Sequence, residues 1–404
     1  MDRNHLDLAI ERMSKAQAGL LGGEPDPDLA VVLGQLGRFL ALAGRYAEAT
    51  PILEQALELA EQLELAEVYS QALNSRAIVL LRSDRLDEAA WILRRALEVA
   101  EEHGLTHAAM RAYNNLAEKL QAQDRFAEMV ALVERQLAAA RRTGSRMWEL
   151  ASLTGAIGLL VKLGRWDQAL AWAKEARGAE ELAAQEWSAF GLVALAPLHA
   201  CRGELDEARA LLDSQRDAES SANWETRLVY VMTKAQVLLL EGRPADALAA
   251  LEEALAVREE LGIGLSSGYV KTALVTAAEA ALSLGDLART DELLEGVRSA
   301  RPGQVTPWLR AQMARLTARA DDLRGAQGSV EAGFRTSENG LRELGAVFDL
   351  GVVLTEHAEW LAAQGQVEVA KVPRGEAQAI WEQLRARLWL ERLDRIPTGQ
   401  SQTA

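Results

Sequence analysis

The stretch EEHGLTH at 101–107 sets His103 and His107 four residues apart beside Glu101 and Glu102. On one continuous helix that spacing would turn both imidazoles toward a zinc ion. Gly104 stands between them and is expected to end the helix, which leaves the pair in a hydrated loop. His199 and His357 fall on apolar-periodic stretches and read as packed or surface residues. Cys201 is the only cysteine, so neither an intrachain disulfide nor a cysteine-rich zinc site can form, and it reads as an ordinary buried thiol. The segment GIGLSSG at 262–268 is rich in glycine, but it follows a helical pattern where a dinucleotide fingerprint needs a strand. No G-x-x-x-x-G-K-S/T phosphate loop occurs. Carboxylates are abundant but scatter along helix faces at the spacing of solvated ion pairs. With no nucleophile–base pair and no ligand cluster, the expectation is a noncatalytic protein without metal or cofactor; an enzyme with an unrecognised site is the third-ranked alternative.

Composition narrows the partners. A quarter of the residues are charged, and the formal net charge is −15. Such a chain repels phosphate backbones, so nucleic acid is not expected as a partner. Residues 1–20 lack the basic start and apolar centre of a signal peptide, and no apolar run reaches membrane-spanning length. The expected compartment is the cytoplasm, with no membrane contact.

The elements that would position a site repeat along the chain. GRYAEA at 44–49 returns as DRLDEA, DRFAEM, GRWDQA, GELDEA and GRPADA. Taking Gly44, Asp84, Asp124, Gly164, Gly203, Gly242 and Gly285 as anchors, successive gaps are 40, 40, 40, 39, 39 and 43 residues, with further anchors at Gly325 and Gly365. A fixed period of this size marks a stacked array of supersecondary units. Apolar residues recur at spacings of three and four on both sides of each anchor, as in Leu33, Leu36 and Leu40 before Gly44 and Leu53, Ala56 and Leu57 after it. Each unit is therefore a helical hairpin with a turn-tolerant residue between its helices. Small residues such as Gly37, Ala77 and Ala235 lie seven before their anchors, and Ala49, Ala89 and Ala247 lie five after. They let two helix axes approach closely. Larger apolar residues such as Tyr46, Phe126 and Trp166 fill the flanks, and the tryptophans, Trp91 and Trp172 included, read mainly as core. Gly104, Gly144, Gly262 and Gly345, twenty past an anchor, are expected to end second helices in left-handed caps.

These residues resemble the tetratricopeptide repeat (TPR): Leu36-Gly37, Tyr46, Ala49 and Ala56 carry the match in the first full unit, and YNNLAEKL at 113–120 in the third. The period is longer than the usual figure of about 34 residues. A narrower resemblance, carried by RAYNNLAEKLQAQDRFAE (111–128), LGRWDQALAWA (163–173), LTEHAEWLAAQG (354–365) and AIWEQLRARLWLERLDRI (379–396), is to the C-terminal TPR region of bacterial adenylate/guanylate cyclase–ATPase signalling proteins and ATPase-type transcription activators. It implies an all-α fold, a right-handed α-α superhelix (TPR-like solenoid) of about nine helical hairpins. It also implies a noncatalytic scaffold for protein–protein interaction, the regulatory or sensor region of a bacterial signalling protein. The alternative is a small-ligand sensor module of an ATPase-type transcription regulator.

In the family, first helices line the concave groove. Positions six and ten before the anchor are expected to be exposed there, which gives Arg38, Asn74, Asn114, Glu118, Thr154 and Gln236, with Arg111 and Asn115 close by; Glu279 and Glu359 occupy the same positions in later units. Asn115 resembles the family's peptide-backbone contact, but the matching lysines of a carboxylate clamp are missing. The implied partner is a protein or peptide, with an in-frame or neighbouring cyclase/ATPase module as one possibility. Self-association through an uncapped first helix is another.

The expected organisation is an N-terminal helix over 1–28, either a cap or a truncated repeat, then seven regular repeats over 29–300. A degenerate repeat follows over 301–345, then the last repeat and closing helix over 346–397 and a disordered tail over 398–404. Gly328, Gly333 and Gly340 weaken the second helix of the degenerate repeat, and Pro373 and Gly375 interrupt the last one. Pro197 is expected to kink its helix, and Pro51 to sit in a tolerated first turn.

Overall fold

The computed structural model describes residues 3–20, 26–81, 85–180, 191–221, 223–260, 264–265, 267–301 and 303–397. Asp84, Gly262 and the tail 398–404 lie outside the described residues. The helices are, in order, α1 (Arg3–Leu20), α2 (Pro27–Leu42), α3 (Tyr46–Gln62), α4 (Ala66–Leu81), α5 (Leu86–Glu102), α6 (Thr106–Ala122), α7 (Phe126–Thr143), α8 (Arg146–Gly155), α9 (Ile157–Lys162) and α10 (Trp166–Glu180). There follow α11 (Ala196–Arg202), α12 (Leu205–Asp213), α13 (Trp224–Leu240), α14 (Pro244–Glu260), α15 (Gly268–Ser283), α16 (Leu287–Arg298), α17 (Pro307–Leu323), α18 (Val330–Glu343), α19 (Val347–Ala363), α20 (Val367–Leu384) and α21 (Arg387–Leu393). No strand occurs among the described residues, and the chain is a TPR-like all-α solenoid. No helix among them is long and apolar enough to cross a membrane.

The hairpin logic holds in detail. Gly44, Asp124, Gly164, Gly203, Gly242, Gly285, Gly325 and Gly365 all have positive φ, as do the second-helix caps Gly104, Gly144 and Gly345. His103 and His107 consequently lie on different helices, the first at the end of α5 and the second at the start of α6. The small residues hold the helices together at close range. A Cβ on Gly37 would fall 2.5 Å from the Leu53 side chain, and one on Gly351 would fall 2.7 Å from Trp381. A further device recurs after the anchor. Arg45, Arg125 and Arg243 clip the acids three residues on, Glu48, Glu128 and Asp246, at 2.6–2.7 Å. Each acid thus sits in the first turn of a second helix, where the helix dipole favours it.

Several local expectations need correction. Gly333 and Gly340 do not break α18; a Cβ on either would fall 2.9 or 3.2 Å from Ala318 or Ala311 of α17, so they are contact residues of a tight pair. Pro373 and Gly375 lie within an unbroken α20. Pro51 is the sixth residue of α3, beyond its first turn, on an exposed face. Pro197 opens α11 after a short 3-10 turn (Val193–Leu195), so the helix is interrupted ahead of the proline. Trp91 is 68% exposed because Ala89, Ile92, Leu93 and Ala96 define the buried face of α5 and leave it on the other.

The chain divides into two compact units, residues 1–123 with 131–148, and residues 124–130 with 149–404. In the first, consecutive hairpins stack on their neighbours. In the second, three consecutive anchor turns also dock on the beginnings of much later helices. The Asp124 carboxylate accepts from Lys271 Nζ at 2.5 Å and from the Trp308 backbone N–H at 2.8 Å. Trp308 is the second residue of α17, and its N-cap Thr306 makes no side-chain cap; Thr306 Oγ1 instead accepts from Lys271 at 3.0 Å. Asp124 therefore caps a helix 184 residues away, with Lys271 only 1% exposed beside it. Burial pushes the Lys271 ammonium below its ordinary value, against the pull of Asp124. At the next turn, Lys162 reaches Asp349 at 3.4 Å and lies 3.7 Å from the Trp308 ring, while a Cβ on Gly164 would strike Val347 at 2.9 Å. At the third, Arg387 donates to the Gly203 carbonyl at 3.1 Å and lays the end of its side chain over the glycine. Val347 and Arg387 are the first residues of α19 and α21.

A charge network links the later first helices. Arg315 bridges Glu279 at 2.5 Å and Glu356 at 2.8 Å, and Arg319 meets both of the same carboxylates. Burial pushes the Glu279 carboxyl up, but the Arg315 and Arg319 guanidiniums outweigh it and hold the group well below the usual carboxylate range. Arg392 grips Glu359 with two bonds of 2.7 Å.

Two outcomes follow. Asp124→Gly keeps a residue suited to the turn but removes both the carboxylate beside the buried Lys271 ammonium and the cap of α17, so urea unfolding should show a loss of about 3–5 kcal/mol. Adding Lys271→Met should recover much of it; an Asp124→Gly variant as stable as the parent would refute the role of the pair. The depressed Glu279 carboxyl contributes stability that is complete above the range where an unfolded glutamate titrates and declines as pH falls below it. Glu279→Gln should therefore melt lower than the parent at pH 7. The gap between their melting temperatures should narrow from about pH 5 to about pH 3. A gap that widened on acidification would contradict the sign.

Candidate functional site

In the first unit, α4 packs against both α2 and α6, so the same face of three successive first helices is brought together. Arg38 comes from α2, Gln71 and Asn74 from α4, and Arg111, Asn115 and Glu118 from α6. Gln71 and Asn74, three apart, share a helical face, as do Arg111 and Asn115, four apart. Arg111 Nη1 donates to Gln71 Oε1. One turn further along, Asn115 Nδ2 donates to Asn74 Oδ1 at 2.5 Å. These two side-chain bonds join residues 40 and 41 positions apart, one repeat period.

The expected site residues separate into distinct environments. Arg38, Arg111 and Asn115 are half-buried, and Asn114 and Glu118 are exposed. Asn74 is not exposed as its position implied: it is 1% accessible, with its side-chain oxygen taken by Asn115. Glu118 accepts from the neighbouring Lys119 at 3.1 Å. Thr154 and Gln236 belong to the second unit. Thr154 is also a correction, only 3% exposed, with its hydroxyl donating to the Leu150 carbonyl at 2.9 Å. The backbone approach of Gly191 explains this, since a Cβ there would lie 2.6 Å from Thr154. Gln236 is half-buried on α13. Glu279 and Glu359, at the equivalent positions of later units, are committed to the ion pairs with Arg315, Arg319 and Arg392.

The electrostatics single out Arg111. Burial, followed by the Arg38 guanidinium, lowers it to about 10. Among the described residues, neither Arg38 nor Arg111 has a carboxylate within ion-pair distance, whereas Arg76 and Arg135 of the same unit pair with Glu54 and Glu101 at 3.7 and 2.8 Å. The face thus presents two guanidiniums beside a hydrogen-bonded amide pair. Amides both donate and accept, so such a face can satisfy an extended backbone, and the free guanidinium N–H groups can satisfy an oxygen acceptor. Gln71 was missed by sequence reasoning. Its signal was its place thirteen before an anchor, the same place as Arg111 one repeat later.

The remaining chemistry-bearing residues are accounted for otherwise. Cys201 is buried, and burial pushes its thiol up to about 12. His199 and His357 each set Nδ1 2.6 Å from a glutamate, Glu204 and Glu338 respectively. His357 is also stacked on Phe334 at 5.3 Å. Among the described residues no group of three or more His, Cys, Asp or Glu side chains is gathered as a metal site would require.

Comparison with known proteins places the chain. No curated protein matches it. Among solved structures, the apo form of the quorum sensor NprR from B. thuringiensis shares 12% identity, covering 94% of this chain and 97% of that one, with a TM-score of 0.42. The APC/C hetero-tetramer Cut9-Hcn1 shares 11%, covering 97% and 96%, with a TM-score of 0.40. A monomeric mutant of IFIT1 with m7Gppp-AAAA shares 12%, covering 98% and 96%, with a TM-score of 0.37. The description "MalT-like TPR region" matches residues 3–272, well over half of the sequence. Together with hairpins that repeat through that span, this match assigns the chain to the MalT-like TPR region family.

Proposed function

We propose that this chain is a noncatalytic interaction module that captures an extended segment of a protein partner along the first helices of its first unit, as the regulatory or sensor region of a bacterial signalling protein. The observation that carries the reading is the polar ladder across α4 and α6, where Arg111 meets Gln71 and Asn115 meets Asn74 on one face. A ladder of amides at the repeat spacing suits a peptide main chain, which offers donors and acceptors at regular intervals. Membership in the MalT-like TPR region family supports an interaction or sensor role at the coarser level. The corresponding positions of the later repeats are less suited, because Glu279 and Glu359 are held in internal ion pairs. Arg111 and Asn115 are the residues proposed to order the segment, with buried Asn74 holding the Asn115 amide in place and Arg38, Asn114 and Glu118 at its margins.

The test is selection of binders from a displayed library of linear peptides, followed by titration calorimetry with the enriched sequences. Asn115→Ala should weaken them about tenfold, the equivalent of ~1.4 kcal/mol and the size of one hydrogen bond to a desolvated partner. Asn114→Ala, which alters an exposed neighbour, should change affinity less. Enriched peptides that bind Asn115→Ala and Arg111→Ala as tightly as the parent would exclude this face.

A further inference from the structure

We infer that the anchor turns at Gly285 and Gly325 form a docking edge for a second copy of this chain, which presents to it the basic corner between its α7 and α8 with Met147 at the tip. The inference is independent of the groove reading and starts from the register of contacts inside the second unit. Asp124 meets Trp308 and Gly203 meets Arg387, each 184 positions on, and Gly164 meets Val347 at almost the same separation. Three successive turns thus receive the starts of α17, α19 and α21 in order. The second residue of each received helix, Trp308, Phe348 or Leu388, is large and apolar, and all three are buried or half-buried. The residues just before the turns take part as well. Lys162, two before Gly164, reaches Asp349 at 3.4 Å, and Arg202, one before Gly203, donates to the Leu384 carbonyl at 3.2 Å.

The row of turns continues past the last one that is covered. Gly242, Gly285, Gly325 and Gly365 have the same positive φ, yet a Cβ built on any of them would meet nothing within 4 Å. At two of these turns, the positions that dock elsewhere carry leucine. Leu323, two before Gly325, is 54% exposed, and Leu284, one before Gly285, is 46% exposed. A single exposed leucine is ordinary on a protein surface. These two lie one repeat apart, at the places from which Lys162 and Arg202 make their contacts. The edge is therefore continuous with an interface the molecule already uses, and it lacks only the helix starts that would complete it.

The first unit holds helix starts of the required kind and spacing. The helices α6 and α8 begin at Thr106 and Arg146, 40 residues apart, as are Gly285 and Gly325. Their second residues, His107 and Met147, are exposed, unlike the docked Trp308, Phe348 and Leu388. Met147 supplies the large apolar side chain that each docked start has. Around it the exposed Arg141, Arg142 and Arg146 make a basic corner on a chain of net charge −15. The receiving turns are acidic, with Asp286 beside Gly285 and Asp321 and Asp322 ahead of Gly325. Seating the second copy's Met147 on Leu323 covers two apolar side chains, brings opposite charges together and sets His107 beside Leu284. The two surfaces differ, so the contact is head-to-tail: each added copy brings a further edge and a further corner, and association continues to a ring or a filament. Salt screens the charged part of such a contact and leaves the apolar part in place.

The experiment is sedimentation equilibrium of the full chain over a wide concentration range, paired with cross-linking. The expected result is a mass that rises with concentration beyond one chain. Leu323→Glu and Met147→Glu should each weaken the association at least about tenfold, since each buries a charge in the apolar contact. Trp91→Glu, which alters a residue 68% exposed on α5 and outside both surfaces, should leave it unchanged. For the cross-link, chains carrying Leu323→Cys are mixed with chains carrying Met147→Cys, with oxidised glutathione as the oxidant. A disulfide-linked pair should form well ahead of the pair made with Trp91→Cys, and the native Cys201 is buried out of reach. All the substituted residues are exposed, and unchanged helical circular dichroism checks that the variants fold. A single-chain mass at every concentration would overturn the inference. So would association that is indifferent to Leu323→Glu and Met147→Glu, or cross-linking no faster than the Trp91 control, since copies would then meet through another face.

Discussion

The close approach of paired helices is the constraint on which this molecule depends. At Gly37, the Leu53 side chain occupies the space where a Cβ would be. The same economy of volume recurs at Ala77, Ala196, Ala235 and Ala358, all fully buried seven residues before an anchor. Interiors packed to crystal-like density do not yield to an extra methylene. The small positions therefore fix the distance between axes in each hairpin. The left-handed turn residues then fix the angle at which the chain reverses, and the arginine clips after the turn favour the acid in the new helix's first turn.

On that regular scaffold the second unit adds something a simple array lacks. Asp124 takes the place that glycine holds in most repeats, and the substitution is used: its carboxylate caps α17 and neutralises Lys271. The next two turns keep glycine, which suits their positive φ, and at Gly164 a Cβ would also strike Val347. The three turns share a geometry: each abuts the beginning of a later helix. An acid at the first of them meets the N–H groups and positive end of the helix dipole, which explains why Asp is the variant tolerated there.

Much of the architecture was legible in the sequence because it is local and periodic. The anchors, the left-handed caps at Gly104, Gly144 and Gly345, and the buried small residues all follow from spacing. What the spacing could not show were contacts between residues far apart in the chain. Nothing near Asp124 announces Lys271, and nothing near Thr154 announces Gly191. Gly333 and Gly340 look like helix breakers when propensity is considered alone. Their purpose is visible only once Ala318 and Ala311 lie against them. The candidate groove was legible as a set of register positions, Arg38, Asn74, Arg111 and Asn115. Which of them were free and which were already bonded depended on side chains one repeat away, such as Gln71.

The clasp at Asp124 changes what kind of object the repeat array is. An array whose units touch only their neighbours frays from its ends, one hairpin at a time. A bond between residues 147 positions apart ties an anchor turn to a much later helix, so neither can open without giving up that contact. Such closure carries a loop-entropy cost that is met late, after local structure has formed. The turn at Asp124 and the start of α17 are therefore joined late, once the later helix can reach back to the turn.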